Sequence, residues 1–317
     1  MSRSASLVSL VEDHFSWRRK LGFKLRGERD EVLRFARYVD NSRCREVTLK
    51  TVVDWARATP QGSARYAAQR YEAVRRVLAC IAAKRPGTPF LPPGYLGPQH
   101  RRRSPYVYSD AEVDSLMNAA LTLGPNKGLR PHTYETLCGL LDAVGLRIGE
   151  ALALDDRDVD LEAGTLLVRE DKAGRSRLLP LCNSTVHALR EYRRRRTLRH
   201  PVPRASAFLL TETRASRLDY GLVNRTFRQL RGSVLWERPT PRPRLHDLRH
   251  TFAVRVLLAW MRSGKDVDAE MPALSAYMGH TSPGSTYWYL TAVPELHYLV
   301  AGNMERLVDI RPHSPVL

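Results

Sequence analysis

The strongest constraint on this chain is a break in its own composition. Residues 86–105 hold six prolines, three glycines and the triplet Arg101, Arg102 and Arg103. Proline fixes φ and removes a backbone donor, so no helix or inner strand runs through such a stretch. The same prolines make it extended rather than floppy. The 317 residues therefore read as two blocks, 1–98 and 106–317, joined by a linker over about 86–105. The linker arginines would let this stretch track a phosphate backbone.

Before the break the pattern is helical throughout. Apolar residues recur at helical spacing as Leu7, Leu10, Val11 and Phe15, then as Val32, Leu33, Phe35, Ala36 and Val39. A short third helix follows Thr48, with Val52, Val53 and Ala56 inward, and a fourth covers about 63–84. No strand alternation occurs, so the first block is a four-helix domain. Its basic runs (Arg18, Arg19, Lys20, Lys24 and Arg26; Arg70, Arg75 and Arg76) read as solvated faces or as a DNA-facing surface.

After the break, Ser109 and Glu112 have the spacing of a capping box at a helix start. A helix over 131–144 is broken by Gly145, and a short one follows with Arg147, Glu150, Leu152 and Leu154. Two strand signals, 165–170 and 176–181, flank the turn Lys172-Ala173-Gly174-Arg175 and predict a hairpin. A further edge strand is expected at 207–210. Helices resume over 183–198, 220–235, 246–262, 272–278, 282–290 and 294–308. The expected class is mainly α with a small antiparallel β-sheet.

Charge narrows the partners. Lysine plus arginine number 51 against 33 acidic residues, giving +18 and a pI near 10.2. The excess is spread along the chain, which favours nucleic acid over a membrane-surface anchor. Charge alone fits a generally basic soluble protein equally well. Cys44, Cys80, Cys138 and Cys182 form no CxxC pair, so neither a zinc ribbon nor a disulfide framework is indicated. Thiols in a reducing cytosol are the expectation, with no signal peptide. The apolar run AVRVLLAWM is too short to span a bilayer and carries Arg255. A cytoplasmic protein without membrane contact is expected.

The chemistry gathers around LHDLRHTF at 245–252. His246 and Arg249 stand three apart, on one helix face. Leu248, Phe252, Val256 and Ala259 make an apolar stripe on the other side. A guanidinium fork and an imidazole at one helix end suit a phosphate. Taken alone, the pair reads equally as a structural cap. His246 and His250 also have metal-ligand spacing, but the Glu of a zinc-peptidase helix and a third ligand are missing. His250 reads as a packing or supporting residue. Four further polar residues stand on other elements: Arg147 after the glycine break, Lys172 on the turn, His280 at the end of LSAYMGH, and Tyr289 in SPGSTYWYL. Each has an ordinary explanation as a salt bridge, a solvated turn or a half-buried core residue. The ordered set is far more specific than its parts.

That set resembles the tyrosine recombinase, or phage integrase, family and its Xer-like site-specific members. The matching text is GLRIGEALAL at 145–154, DKAGRSRLLPL at 171–181, HDLRHTFA at 246–253, MGH at 278–280, and Tyr289. The resemblance covers about 105–290. Less specifically, the first block and linker are similar to the family's core-binding arm, a SAM-like four-helix domain. The resemblance implies a C-shaped clamp on DNA, a covalent 3′-phosphotyrosine intermediate, and neither metal nor cofactor. It makes Arg147, Lys172, His246, Arg249, His280 and Tyr289 the catalytic set, with Glu150 supporting. Arg147 and Arg249 would clamp the non-bridging oxygens and Lys172 would protonate the leaving 5′ oxygen. His246 is the expected base toward Tyr289. Arg175 and Arg177, with Arg101, Arg102 and Arg103, are the expected DNA contacts. The text departs from the family after Lys172, where AGRS stands in place of a glycine and a later second lysine; Arg175 is the candidate replacement. The nine-residue gap from His280 selects Tyr289 over Tyr287, and the two point about 200° apart on a helix.

The implied partners are a duplex recombination site with inverted repeats and further copies of the chain, a dimer on one site and a tetramer in synapsis, or related recombinases. The last helix is implied to pack on a neighbouring subunit. A mobile element or a chromosome-maintenance system is the expected setting. Two competing functions carry forward: a DNA-relaxing enzyme of the type IB topoisomerase kind, and a DNA-binding accessory protein that has lost catalysis.

Overall fold

The computed structural model describes residues 6–292, except 24, 43–45, 60, 61, 86, 99–103, 126, 170–174, 204, 239, 281 and 283. Lys172, Arg101, Arg102, Arg103 and the helix expected over 294–308 lie outside the described residues. The chain divides into two compact units, Met1–Arg103 and Ser104–Leu317.

The first unit has the four expected helices: α1 (Leu7–Lys20), α2 (Arg26–Asn41), α3 (Leu49–Arg57) and α4 (Ala64–Ile81). Short polar side chains start three of them. Ser6, Thr48 and Ser63 each accept a backbone N–H three residues on. Asp40 of α2 accepts the backbone N–H groups of Leu7 and Val8 at 3.1 and 3.0 Å, which fastens the start of α1 to the end of α2. The predicted apolar faces form one core with Tyr71, Val74, Val77 and Leu78 of α4. One basic position is corrected. Arg70 is neither solvated nor DNA-facing: it is 8% exposed, 2.9 Å from Glu31, and lies over the Trp55 ring at 3.7 Å. Its helical register points it at α2 and α3, where pairing and stacking offset desolvation.

The second unit is mainly helical. The Ser109–Glu112 capping box opens α5 (Asp110–Leu121), with bonds of 3.3 and 3.0 Å. Next come α6 (Arg130–Val144) and α7 (Ile148–Ala153), whose junction holds the candidate site. A three-stranded antiparallel sheet follows, in order β1 (Val159–Asp160), β2 (Thr165–Val168) and β3 (Arg177–Pro180). Val168 pairs with Arg177 and Thr165 with Pro180, so β2 and β3 are the two arms of the expected hairpin. Then come α8 (Asn183–Arg199), α9 (Tyr220–Gly232), α10 (Asp247–Arg262), α11 (Val267–Met278) and α12 (Gly284–Ala292). α6 lies within the main core, and α10, α11 and α12 close over a second one holding Leu257, Met271, Leu274 and Met278. Among the described residues, no helix is long and apolar enough to cross a membrane.

Four expectations change. β1 was not foreseen, since two residues carry no periodicity. Residues 207–210 make isolated bridges to Asp155 and Arg217 rather than a strand. α11 begins at Val267, not at Pro272, because Asp266 caps it by accepting from Asp268 and Ala269. The buried stripe of α10 is Leu248, Ala253, Val254, Leu257 and Met261, whereas Ala259 is exposed. α10 is wedged between two cores, so no single stripe describes it.

Gly145 joins α6 to α7 at φ +65°, and a Cβ there would lie 2.4 Å from the Phe252 ring. Gly145→Ala should combine a left-handed penalty with overpacking and destabilise the second unit by about 2–4 kcal/mol. Thermal denaturation reads this as a lowered midpoint; an unchanged midpoint would mean the junction relaxes freely.

Candidate active site

The site is built where two glycine turns meet. Past Gly145, Arg147 occupies the cap position of α7 at φ −69° and ψ 143°. Glu150 reaches back to it. Its Oε2 accepts the Arg147 backbone N–H at 2.9 Å, and its Oε1 accepts Arg147 Nη1 at 2.7 Å. The same carboxylate accepts Arg177 Nη2 at 2.7 Å and Nη1 at 3.2 Å. Arg249 Nη1 stands 3.9 Å away. One carboxylate thus lies among three guanidinium groups drawn from a helix start, a strand and a helix.

The second turn ends α11. Gly279, at φ +64°, donates to Ala276 O, and His280 N–H donates to Ser275 O, both at 2.9 Å. This is a Schellman turn, and it leaves the next three carbonyls without helical donors. Each receives a guanidinium. Arg177 Nε donates to Tyr277 O at 2.8 Å, Arg249 Nη2 to Met278 O at 2.6 Å, and Arg147 Nη2 to Gly279 O at 2.6 Å. Arg249 Nη1 also donates to Gly145 O at 2.6 Å, which ties the two turns together. Cations at the negative end of α11 are electrostatically favourable. The packing leaves no room at Gly279, where a Cβ would lie 2.7 Å from Arg177 Nη1.

Burial pushes the Glu150 pKa up, but the hydrogen bonds from Arg177 and Arg147 outweigh it, and the carboxyl sits below its usual range. Arg249 is 2% exposed; burial and the Arg147 charge lower its pKa to about 10, which still leaves it charged at neutral pH. His246 stands at the start of α10 with an exposed edge. Crowding of its other side, then the charges of Arg249, Arg244 and Arg147, lower its pKa to about 4. Burial and the same arginine cluster lower His280 to about 4. Both imidazoles are therefore neutral at pH 7. His280 Nδ1 is fixed by Thr286 Oγ1 at 2.7 Å.

Tyr289 on α12 is 2% exposed, and Tyr287 is 37% exposed. The Tyr289 hydroxyl lies 2.8 Å from Nδ1 of His250, not on His246. Of the two expectations for His250, packing or supporting, this contact fits the second; the residue stands four after His246, on the same face of α10. Arg177, expected on DNA, has its donors turned inward onto Glu150 and Tyr277. Strand alternation carried that signal, since Arg177 shares the face of buried Leu179 while Leu178 between them is exposed. Arg175 is exposed just before β3. Arg147, Glu150, His246, Arg249, His280 and Tyr289 are thus brought together within one unit. Among the described residues, no group of three or more His, Cys, Asp or Glu is arranged to hold a metal ion.

A family model described as the phage integrase family matches residues 107–295. A Sinorhizobium fredii protein with the provisional name integrase/recombinase y4rB is 36% identical over 301 residues, covering 93% of this chain and 96% of that protein. Tyrosine recombinase XerD of Mycobacterium tuberculosis is 31% identical over 217 residues, 66% of this chain and 64% of that protein. Among solved structures, the Tn1549 transposon integrase in complex with circular intermediate DNA superposes with a TM-score of 0.67 at 17% identity, covering 96% of this chain and 100% of that one. A lambda integrase bound as a tetramer to a Holliday junction gives 0.63 at 17% identity, covering 91% and 78%. These two likenesses show the fold.

Glu150→Gln keeps the shape and removes the anion, so the three arginines lose their shared partner. The expected loss is about 3 kcal/mol at neutral pH. The folded pKa of Glu150 is lowered, so its contribution is complete above an unfolded value of roughly 4.3 and is lost as pH falls through the folded value. The gap in thermal midpoint between wild type and Glu150→Gln should therefore be full at pH 6 and shrink below about pH 4. A gap that grows on acidification would refute the assignment.

Proposed function

The chain belongs to the phage integrase family, and on that premise we propose that it is a site-specific DNA recombinase that cuts and rejoins strands through a 3′-phosphotyrosine link. The observation that carries the reading is the meeting of Arg147, Arg249, His246 and His280 beside the buried phenol of Tyr289.

In this reading the scissile phosphodiester enters over Arg147, whose side chain is 36% exposed, with the Arg249 charge beneath. Arg147 and Arg249 stabilise the negative charge that builds on the non-bridging oxygens as phosphorus becomes five-coordinate. The phenol oxygen of Tyr289 forms the new bond to phosphorus as its proton passes to a neutral imidazole of the site, and the bond to the 5′ oxygen breaks. That oxygen takes a proton from Lys172. His246 and His280, neutral at pH 7, hydrogen-bond around the phosphate, His280 through Nε2 because its Nδ1 is on Thr286 Oγ1. The aryl phosphodiester conserves the bond energy, so a 5′ hydroxyl from a second duplex can reverse the step onto a new strand. A DNA site with inverted repeats, synapsis of further copies of the chain, and a mobile element or chromosome-maintenance setting complete the proposal. Met1–Arg103 serves as the core-binding domain in this scheme, and Arg101, Arg102, Arg103 and Arg175 as phosphate contacts.

The test is to trap the covalent complex on a nicked suicide duplex and map the linked peptide. Tyr289→Phe should bind DNA and form no adduct, while Tyr287→Phe forms it normally. Arg147→Ala should lower cleavage by about 100-fold or more with DNA binding largely retained. An adduct on Tyr287, or efficient relaxation of plasmids lacking any target site, would overturn the proposal.

A further inference from the structure

α10 carries three functional side chains on one face, of which the expected chemistry uses only His246 and Arg249. His250 is the third. Its Nδ1 lies 2.8 Å from the Tyr289 hydroxyl. Its ring meets three others nearly edge to face: His246 at 4.6 Å, Tyr289 at 5.4 Å and Trp288 at 5.7 Å. Rings in this arrangement hold orientation as well as contact. The imidazole thus stands between the exposed histidine of the site and the buried phenol. The other half-buried histidine of the site, His280, has its Nδ1 on Thr286 Oγ1.

We propose that His250 is the positioning residue for Tyr289: it accepts the phenolic hydrogen bond at Nδ1 and so aims the oxygen toward a phosphate held at Arg147 and Arg249. The inference rests on the reading of Tyr289 as nucleophile. Four considerations support it. The phenol is 2% exposed, so its hydroxyl is directed by protein rather than by bulk water. A neutral imidazole has one acceptor and one donor nitrogen, and burial first, then the charges of Arg244 and Arg249, keeps His250 neutral. A phenol about to bond phosphorus needs its O–H directed away from the lone pair that attacks, which an acceptor at Nδ1 provides. His250 is also rigidly placed, one turn of α10 from His246, so the nucleophile and the phosphate-facing groups share one scaffold.

The experiment measures single-turnover adduct formation at saturating protein on the nicked suicide duplex, together with DNA affinity. His250→Phe keeps the ring and its edge contacts but removes the acceptor. His250→Asn returns an amide oxygen close to the Nδ1 position. His250→Phe should bind DNA as wild type does and form adduct on the order of 100-fold more slowly, the scale expected for a misdirected reacting atom. His250→Asn should recover most of that loss. Thermal midpoints form a second, activity-free arm: His250→Phe should lower the midpoint of the wild type and leave that of Tyr289→Phe nearly unchanged, because the hydroxyl needing a partner is already gone. A wild-type rate in His250→Phe, an Asn variant no faster than the Phe variant, or equal midpoint shifts in both backgrounds would overturn the inference. If Tyr289→Phe forms no adduct while His250→Phe is fully active, only the role of His250 falls. If Tyr289→Phe still forms adduct, the nucleophile reading falls first.

Discussion

Arg147, Arg177 and Arg249 repel one another, and their coexistence depends on what their donors find. Glu150 is the anion they share, at 2.7 Å from Arg147 and Arg177 and 3.9 Å from Arg249. The carbonyls of Tyr277, Met278 and Gly279 take the next donors. Three positive charges against one carboxylate leave this cluster net positive. Such a cluster is a ready-made place for an anion, and in the proposed reaction the phosphodiester would supply part of the missing negative charge. Burial first, and this excess second, keep His246 and His280 neutral at pH 7.

The bonds that end α11 are also the bonds that build the site. A helix end buried without partners is costly, and here a Schellman turn satisfies two carbonyls while guanidinium groups satisfy the next three. The turn places His280 on Thr286 of α12, the helix that carries Tyr289. Residues 132 positions apart, such as Arg147 and Gly279, are thereby joined through single hydrogen bonds. Stability and chemistry are coupled here, so a change at Glu150 or Gly279 acts on both.

Much of this was legible in the sequence. The four amphipathic helices before the proline-rich break and the Ser109 capping box each carry a local signal, and the structure follows them. Arg147, Glu150, His246, Arg249, His280 and Tyr289, which the structure gathers in one unit, stand out in the sequence because their order along the chain is characteristic, even though each alone is ordinary. What escaped was information held in three dimensions or in a competing signal. Arg70 and Arg177 were grouped with exposed basic residues because charge dominates a linear reading, yet helical and strand registers turn both inward. His250 reads in the sequence as packing or supporting with no partner named, because that partner, Tyr289, lies 39 residues away. The stripe on α10 was misplaced because a helix buried on several sides has no single apolar face. The start of α11 was missed because Pro272 is a stronger sequence signal than the capping Asp266.

The central claim is that guanidinium groups close α11 and thereby hold the site in shape before DNA binds. Amide hydrogen exchange at Gly279 and His280 tests it directly, because these two N–H groups form the closing turn. Arg177 is the substitution to use, since the account places it behind the chemistry, on Tyr277 and Glu150. In Arg177→Met these two amides should exchange on the order of tenfold faster than in wild type, because losing a charge-assisted hydrogen bond costs about 1.5 kcal/mol or more. Amides within α6 should keep their rates. Unchanged exchange at Gly279 and His280 in the folded variant would contradict the account.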